Sequence, residues 1–150
     1  MRIRSYRPTD LQVLYQIDHA CFPPGIAYPK HELMHFIAMH GARTWVAESG
    51  DDTVGFLIAC PESQREIHIV TIDVVASSRR QGVGRALMDA AETWAGAQNA
   101  NVIYLETAED NVIAQNFYEA RGYFRVEKVE GYYSNGQAAW VMAKDLKDEL

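Results

Sequence analysis

The chain is poor in the residues from which disulfide frameworks and metal centres are built. Of its 150 residues only two are cysteine, Cys21 and Cys60, and five are histidine. Neither type clusters at ligand spacing, so the pattern argues against a disulfide scaffold and against a metal site. Both cysteines are expected to be free thiols of the core, in a reducing compartment. No stretch approaches the roughly 18 apolar residues of a membrane span, and the opening MRIRSYRPTDLQVL lacks the apolar run of a secretory leader. The expectation is a cytoplasmic protein without membrane attachment. Basic charge does not predominate either: 14 Lys and Arg stand against 20 Asp and Glu, a formal net charge of −6. Nucleic-acid binding, which wants a basic footprint, is therefore not expected. Repeats, low-complexity tracts and linkers are absent, so residues 1–150 read as a single domain. A chain of this size buries roughly 70% of the surface its unfolded form exposes and needs no staples.

What is present is a regular alternation of element signals. Met1 to Tyr6 alternates and meets Pro8, which reads as a strand. Thr9 and Asp10 are placed to cap a helix carrying Leu11, Leu14, Ile17 and Cys21 at helical spacing. Pro23, Pro24 and Gly25 break it, and a second helix is expected over Lys30 to His40. Thr44 to Ala47 and Thr53 to Ala59, separated by Gly50-Asp51-Asp52, suggest a hairpin. Glu66 to Val75 is apolar on both faces and reads as the longest strand, central and doubly covered. Asp73 lies within it and must find a hydrogen-bonding partner there, because an unpaired buried charge is costly. A helix striped with Val83, Leu87, Ala90, Ala91 and Trp94 follows. Then come a short strand over Val102 to Leu105, a helix over Asn111 to Ala120 ended by Gly122, and strands over Tyr123 to Val129 and Ala138 to Ala143. The order βααβββαβαββ is mixed α/β, with helices for both faces of one sheet.

The most chemically suggestive segment is Val74-Val75-Ala76-Ser77-Ser78-Arg79-Arg80-Gln81-Gly82-Val83-Gly84-Arg85. A buried strand there runs through a basic turn into glycines at a helix mouth. Unpaired backbone N–H groups and the positive dipole end make such a mouth a phosphate site. Gly82 and Gly84 allow close approach, while Arg79, Arg80 and Arg85 add charge. The dinucleotide fingerprint fails, because Leu87 stands where its third small residue belongs, and a P-loop's Gly-Lys-Ser/Thr is missing.

Arg79-Arg80-Gln81-Gly82-Val83-Gly84 resembles the Arg/Gln-x-x-Gly-x-Gly/Ala pyrophosphate loop of the GNAT acetyltransferases. Asn111-Val112-Ile113-Ala114-Gln115-Asn116-Phe117-Tyr118-Glu119-Ala120-Arg121-Gly122-Tyr123 is similar to that family's second signature, with Tyr123 for the usual Phe. The resemblance spans the chain and implies a GNAT fold: a central, mixed, mostly antiparallel twisted sheet of roughly seven strands with roughly four flanking helices. It also implies acetyl-coenzyme A as co-substrate, held by Val74, Val75, Arg79 to Arg85 and Asn111, with no metal. Within the superfamily the chain most resembles the protein N-terminal acetyltransferases, nearest to the ribosomal-protein alanine branch. Cys21-Phe22-Pro23-Pro24 to Tyr28, Leu105-Glu106 and Gly131-Tyr132-Tyr133 carry that likeness.

The resemblance assigns two catalytic roles. Glu106, expected to close the Val102 to Leu105 strand, matches the catalytic glutamate and would take the proton from the amine. Tyr118, seven residues after Asn111 and on the same helical face, would protonate the departing thiolate. His68 could hold a water or assist as a second base, or be a satisfied structural histidine. Tyr28, Tyr132 and Tyr133 could wall a slot for a peptide N-terminus, since tyrosine offers rigid area with a polar tip. The acceptor is then expected to be a protein N-terminus, such as that of a ribosomal protein, and the enzyme a monomer or homodimer. Two other readings stay open: acetylation of a small amine (a polyamine, an aminoglycoside or an amino acid), and a non-catalytic acyl-coenzyme A sensor.

Overall fold

A computed structural model describes residues 1–63 and 65–147. In chain order the elements are β1 (Arg2–Ser5), α1 (Leu11–Cys21), α2 (Lys30–Ala38), β2 (Arg43–Ser49), β3 (Asp52–Pro61) and β4 (Glu66–Val74). They continue with α3 (Val83–Ala97), β5 (Val102–Ala108), α4 (Val112–Ala120), β6 (Phe124–Val129) and β7 (Ala139–Asp145). The order matches the expectation, and the strands form one seven-stranded sheet, β1-β2-β3-β4-β5-β7-β6. Every neighbouring pair is antiparallel except β4 with β5. Among the described residues no helix is long and apolar enough to cross a membrane.

Two cores cover the two faces of the sheet. On one, α3 lays Val83, Leu87, Met88, Ala91 and Ala95 against Leu57, Ile67, Ile69 and Ile103, and Tyr118 of α4 joins them. On the other, Leu14, Ile17 and Leu33 of α1 and α2 pack on Val46, Phe56, Ile58 and Val70. Each such fully buried aliphatic side chain contributes about 1.5–3 kcal/mol of transfer free energy.

Three expectations need correction. The strand read as Val102 to Leu105 runs on to Ala108, so Glu106 stands inside β5, opposite Val141, rather than at its end. The cross-strand hydrogen bonds to β7 outweigh the break that Glu106 and Thr107 make in the apolar run. The longest strand is β3, one residue longer than β4. Asp10 does not cap α1; it receives both arms of Arg4, at 2.8 and 2.9 Å, and the N–H of Arg7 at 2.7 Å. Asp10 holds the N-cap position of α1, but the Arg4 fork and the Arg7 N–H already occupy both of its oxygens, so its side chain does not cap the helix.

One irregularity shapes the functional side of the sheet. Ile58 pairs with Thr71 and Ala59 with Ile69, leaving Val70 as an extra residue in β4. Ile67 and Ile69 point into the α3 core before it, and Ile72 and Val74 do so after it. Pairing of β4 with β5 covers only Glu66, His68 and the residue between them, ending at His68 opposite Tyr104. A bulge bends and over-twists its strand, and here the bend coincides with the place where β4 and β5 part.

Candidate active site

The parting strands make a wedge, and the residues singled out in the sequence gather around it. Glu106 of β5 and His68 of β4 meet directly, with Nε2 of the imidazole 2.7 Å from Oε1 of the carboxylate. Their side chains are each only 13% exposed. The ring of His68 stacks on Tyr104, with centroids 4.7 Å apart and planes 16° off parallel. Its other nitrogen lies 3.8 Å from Oε1 of Glu62, which is 41% exposed. A chain of polar groups therefore leads from Glu106 to solvent. Glu62 and Tyr104 were not singled out in the sequence, although both lie on β4-adjacent segments next to His68 or Glu106 in register.

Tyr118 enters from α4, with its ring edge-on to Phe117 and to Tyr123. Burial, and then the nearby Asp73, push its phenol above the ordinary tyrosine value. The hydroxyl thus keeps its proton well into the alkaline range, as a general acid requires. Asn111 is the N-cap of α4, and its side-chain oxygen accepts the N–H of Ala114 at 3.2 Å. Its oxygen is used to hold the helix that carries Tyr118.

The loops that carry Tyr28 and the Tyr132–Tyr133 pair are in contact. Between α1 and α2 the chain passes through Gly25, at φ +89°, and a Cβ added there would sit 2.7 Å from Cβ of Asn135. Its carbonyl accepts the N–H of Ser134 from the β6–β7 loop at 3.1 Å. Only glycine combines that φ with so close an approach. Tyr28 packs edge-on to Phe36, and Tyr132 to Tyr133. Burial, with the charge of Glu106 second, raises the phenols of Tyr28, Tyr132 and Tyr133. All three phenols therefore stay neutral within the influence of the Glu106 charge.

The basic turn follows β4. Gly82, at φ +84°, is the N-cap of α3, no side chain caps the helix, and an added Cβ would meet nothing within 4 Å. The first N–H groups of α3 thus face open space beside Arg80 and Arg85, which suits an anion. Gln81 bonds back to Ser77 and braces the turn. Arg79 is exposed, and its Nε donates to the carbonyl of Val74 at 3.2 Å. Both backbone groups of Val75 are committed, to Val54 and Ser78, so it offers a ligand only its side chain. Cys21 donates its thiol to the Val74 carbonyl. Cys60 is buried, with its thiol pushed up to about 11 by desolvation. Both cysteines are free, and neither has a paired base. Among the described residues no group of three or more His, Cys, Asp or Glu could hold a metal.

Residues 11–123 match the family model described as the acetyltransferase (GNAT) family. An N-alpha-acetyltransferase of Sulfurisphaera tokodaii is 29% identical over 157 aligned positions, covering 97% of this chain and 93% of that one. Ard1 from Thermoplasma volcanium superposes with a TM-score of 0.86 at 27% identity, over 96% of each chain. The ribosomal-protein-S18-alanine N-acetyltransferase of Escherichia coli shares the fold, with a TM-score of 0.86 at 21% identity over 99% and 97% of the chains.

Proposed function

Because the chain belongs to the GNAT acetyltransferase family, we propose that it acetylates the α-amino group of protein N-termini, using acetyl-coenzyme A as co-substrate. The single observation that carries this reading is the hydrogen-bonded Glu106–His68 pair at the point where β4 and β5 part. The relatives named N-alpha-acetyltransferase support the same acceptor class. A ribosomal protein N-terminus is one acceptor of that class. The described residues form one sheet with two cores, and we read the chain as one catalytic domain whose site comes from a single copy.

When bound, acetyl-coenzyme A supplies an activated acyl carbon and a thiolate leaving group. The α3 mouth, with Gly82, Val83, Gly84, Arg80 and Arg85, holds the pyrophosphate, and Val74 and Val75 line the path toward the wedge. Arg79 and Gln81, both exposed, brace the turn and add their remaining donors to the same anion site. A protein α-amino group has a pKa of about 7.7–8.0, so roughly a tenth to a fifth is neutral at pH 7. Glu106 accepts a proton from that nitrogen as it attacks the acyl carbon, directly or through one water. His68 orients the carboxylate and links it through Glu62 to solvent. Tyr118 gives its proton to the sulfur as the carbon–sulfur bond breaks. Tyr28, Tyr132 and Tyr133 hold the first residues of the acceptor without adding charge.

The test is a panel of N-terminal peptides, internal-lysine peptides and small amines, with thiol release followed and the product mapped by mass spectrometry. Acetyl on peptide α-amines supports the reading. Acetyl found only on lysine side chains, or only on a polyamine, aminoglycoside or amino acid, overturns it. Binding of acetyl-coenzyme A without turnover of any amine overturns it in favour of a sensor.

A further inference from the structure

A second pair of carboxyl groups lies under the acceptor loop, outside the groups assigned to the reaction. Asp18 of α1 is 0% exposed and Asp73 of β4 is 1% exposed. Their four oxygens divide evenly. Asp18 Oδ2 accepts the backbone N–H of Tyr28 at 2.7 Å, and Asp73 Oδ1 accepts the hydroxyl of Thr71 at 2.5 Å. Asp18 Oδ1 and Asp73 Oδ2 have no donor among the described residues, yet the two side chains are within hydrogen-bonding reach of each other.

Two buried carboxylates in that arrangement would repel at short range and leave two acceptors empty, a combination that burial penalises twice. One proton removes both penalties. Carried on Asp73 Oδ2 and directed at Asp18 Oδ1, it satisfies the last two oxygens with a single bond. Asp73 is the carrier because Asp18 Oδ2 is held by the backbone N–H of Tyr28, whereas Asp73 Oδ1 is held only by the rotatable hydroxyl of Thr71. Burial, reinforced by the bond and charge of Asp18, holds the Asp73 carboxyl well above the ordinary carboxylate range. The other groups facing the pair are Cys21 from α1, Tyr28 from the loop, Arg79 from the turn after β4 and Tyr118 from α4. Arg79 is the one cation among them, and its guanidinium is engaged by Val74 and Cys21.

We propose that Asp18 and Asp73 share one proton and act as a positioning pair, tying the acceptor loop, through the Tyr28 N–H, to β4 beside the cofactor turn. The inference rests on the reading of that loop as the acceptor wall. Neither carboxyl touches reacting atoms; the pair sets where Tyr28 stands relative to Glu106. Loss of the shared proton leaves two adjacent anions, which drives α1 from β4 and widens the slot.

Three measurements test this. Infrared spectroscopy of the wild type at neutral pH should show the carbonyl stretch of a protonated carboxylic acid, absent from Asp73→Asn; a wild type without that band overturns the proposal. In Asp73→Asn the amide N–H replaces the proton, so the peptide KM should stay near wild type. Asp73→Val leaves Asp18 Oδ1 without a donor and should raise that KM by roughly tenfold, the worth of one buried charged hydrogen bond, with acetyl-coenzyme A affinity unchanged. Equal peptide KM values in the two variants overturn the positioning role. Should Asp73→Val not fold, the pH profile decides: the wild-type peptide KM should climb at alkaline pH while that of Asp73→Asn stays flat, and a parallel climb overturns the proposal. If the wild type acetylated no peptide at all, the proposed function would fall. The infrared band would then still decide whether the proton is shared.

Discussion

Nε2 of His68 lies 2.7 Å from Oε1 of Glu106, joining β4 to β5 at the point where the two strands cease to pair. The hydrogen bond replaces a rung of the sheet with side chains, so the proposed base is held by the same two strands whose parting opens the wedge.

Replacing Glu106 by Gln keeps shape and loses the base. The turnover rate at saturating peptide and cofactor should fall by about 10²–10⁴-fold near neutrality. Alkaline pH should restore part of it, because more of the amine is then already neutral. A pH–rate profile matching wild type throughout would make Glu106 a bystander and His68 or an ordered water the better base.

Tyr118→Phe should lose rate in a way that alkaline pH does not repair, since the sulfur still lacks its proton. The raised phenol value has a further sign: in the wild type Tyr118 stays protonated past the ordinary tyrosine value of about 10, so no activity loss from its ionisation is expected below that pH. Acetyl-coenzyme A affinity, measured by calorimetry, should be unchanged in this variant. If rate and pH profile stay those of wild type, solvent is the acid.

Gly82→Val should weaken acetyl-coenzyme A binding by roughly tenfold or more, because its side chain occupies the open space at the α3 mouth. The φ of +84° adds backbone strain of about 1–2 kcal/mol, so Tm without ligand should also drop. Calorimetry on the folded variant separates the two effects, and an unchanged affinity there removes the pyrophosphate from this turn.

Gly25→Val should act on the peptide and not on the cofactor. Its Cβ would collide with Asn135 and force apart the two loops that meet there. Peptide KM should rise by roughly tenfold, a loss of uniform binding, with acetyl-coenzyme A affinity intact. A variant with weakened cofactor binding instead would mean that the α1–α2 loop serves the other substrate.

Asp10→Asn should lower stability at neutral pH, with the difference shrinking in acid. Hydrogen bonding to Arg4 holds the Asp10 carboxyl below its ordinary value. A depressed folded value stabilises above the unfolded pKa of about 3.9 and is lost as pH falls through the folded one. Denaturant unfolding at a series of pH values reads this directly, and a pH-independent difference contradicts it.

The glycine-arginine turn was legible because its signal is local: glycines and arginines consecutive in sequence remain consecutive at the helix mouth. The same holds for the stripe of α3 and for the order of elements. Glu106 was found, but its place was misread, because Glu106 and Thr107 end an apolar run while the strand continues through backbone bonds that ignore side-chain type. Asn111 was read with the helix it opens, and its cap bond to Ala114 shows a structural use that spacing alone did not reveal. Asp73 could be expected to need a partner, but nothing near it in sequence names Asp18, which is 55 residues away and brought in by α1 packing. The contact of Gly25 with Asn135 is equally non-local, although Pro-Pro-Gly already marked a special turn.

Val70 is the surplus residue of β4, and the opening of the wedge follows from a count rather than from any side chain. Thr71 stands on the same face as Val70, so a chain shortened by that one position would keep Ile72, Asp73 and Val74 on their present faces and in their present register with β3. The strand would, however, lose the bend, and β4 could zip onward along β5 past His68. Such a protein would be a better sheet and a worse enzyme. Its thermal stability could rise while its cleft closed, and a survey of substitutions alone would never uncover the dependence.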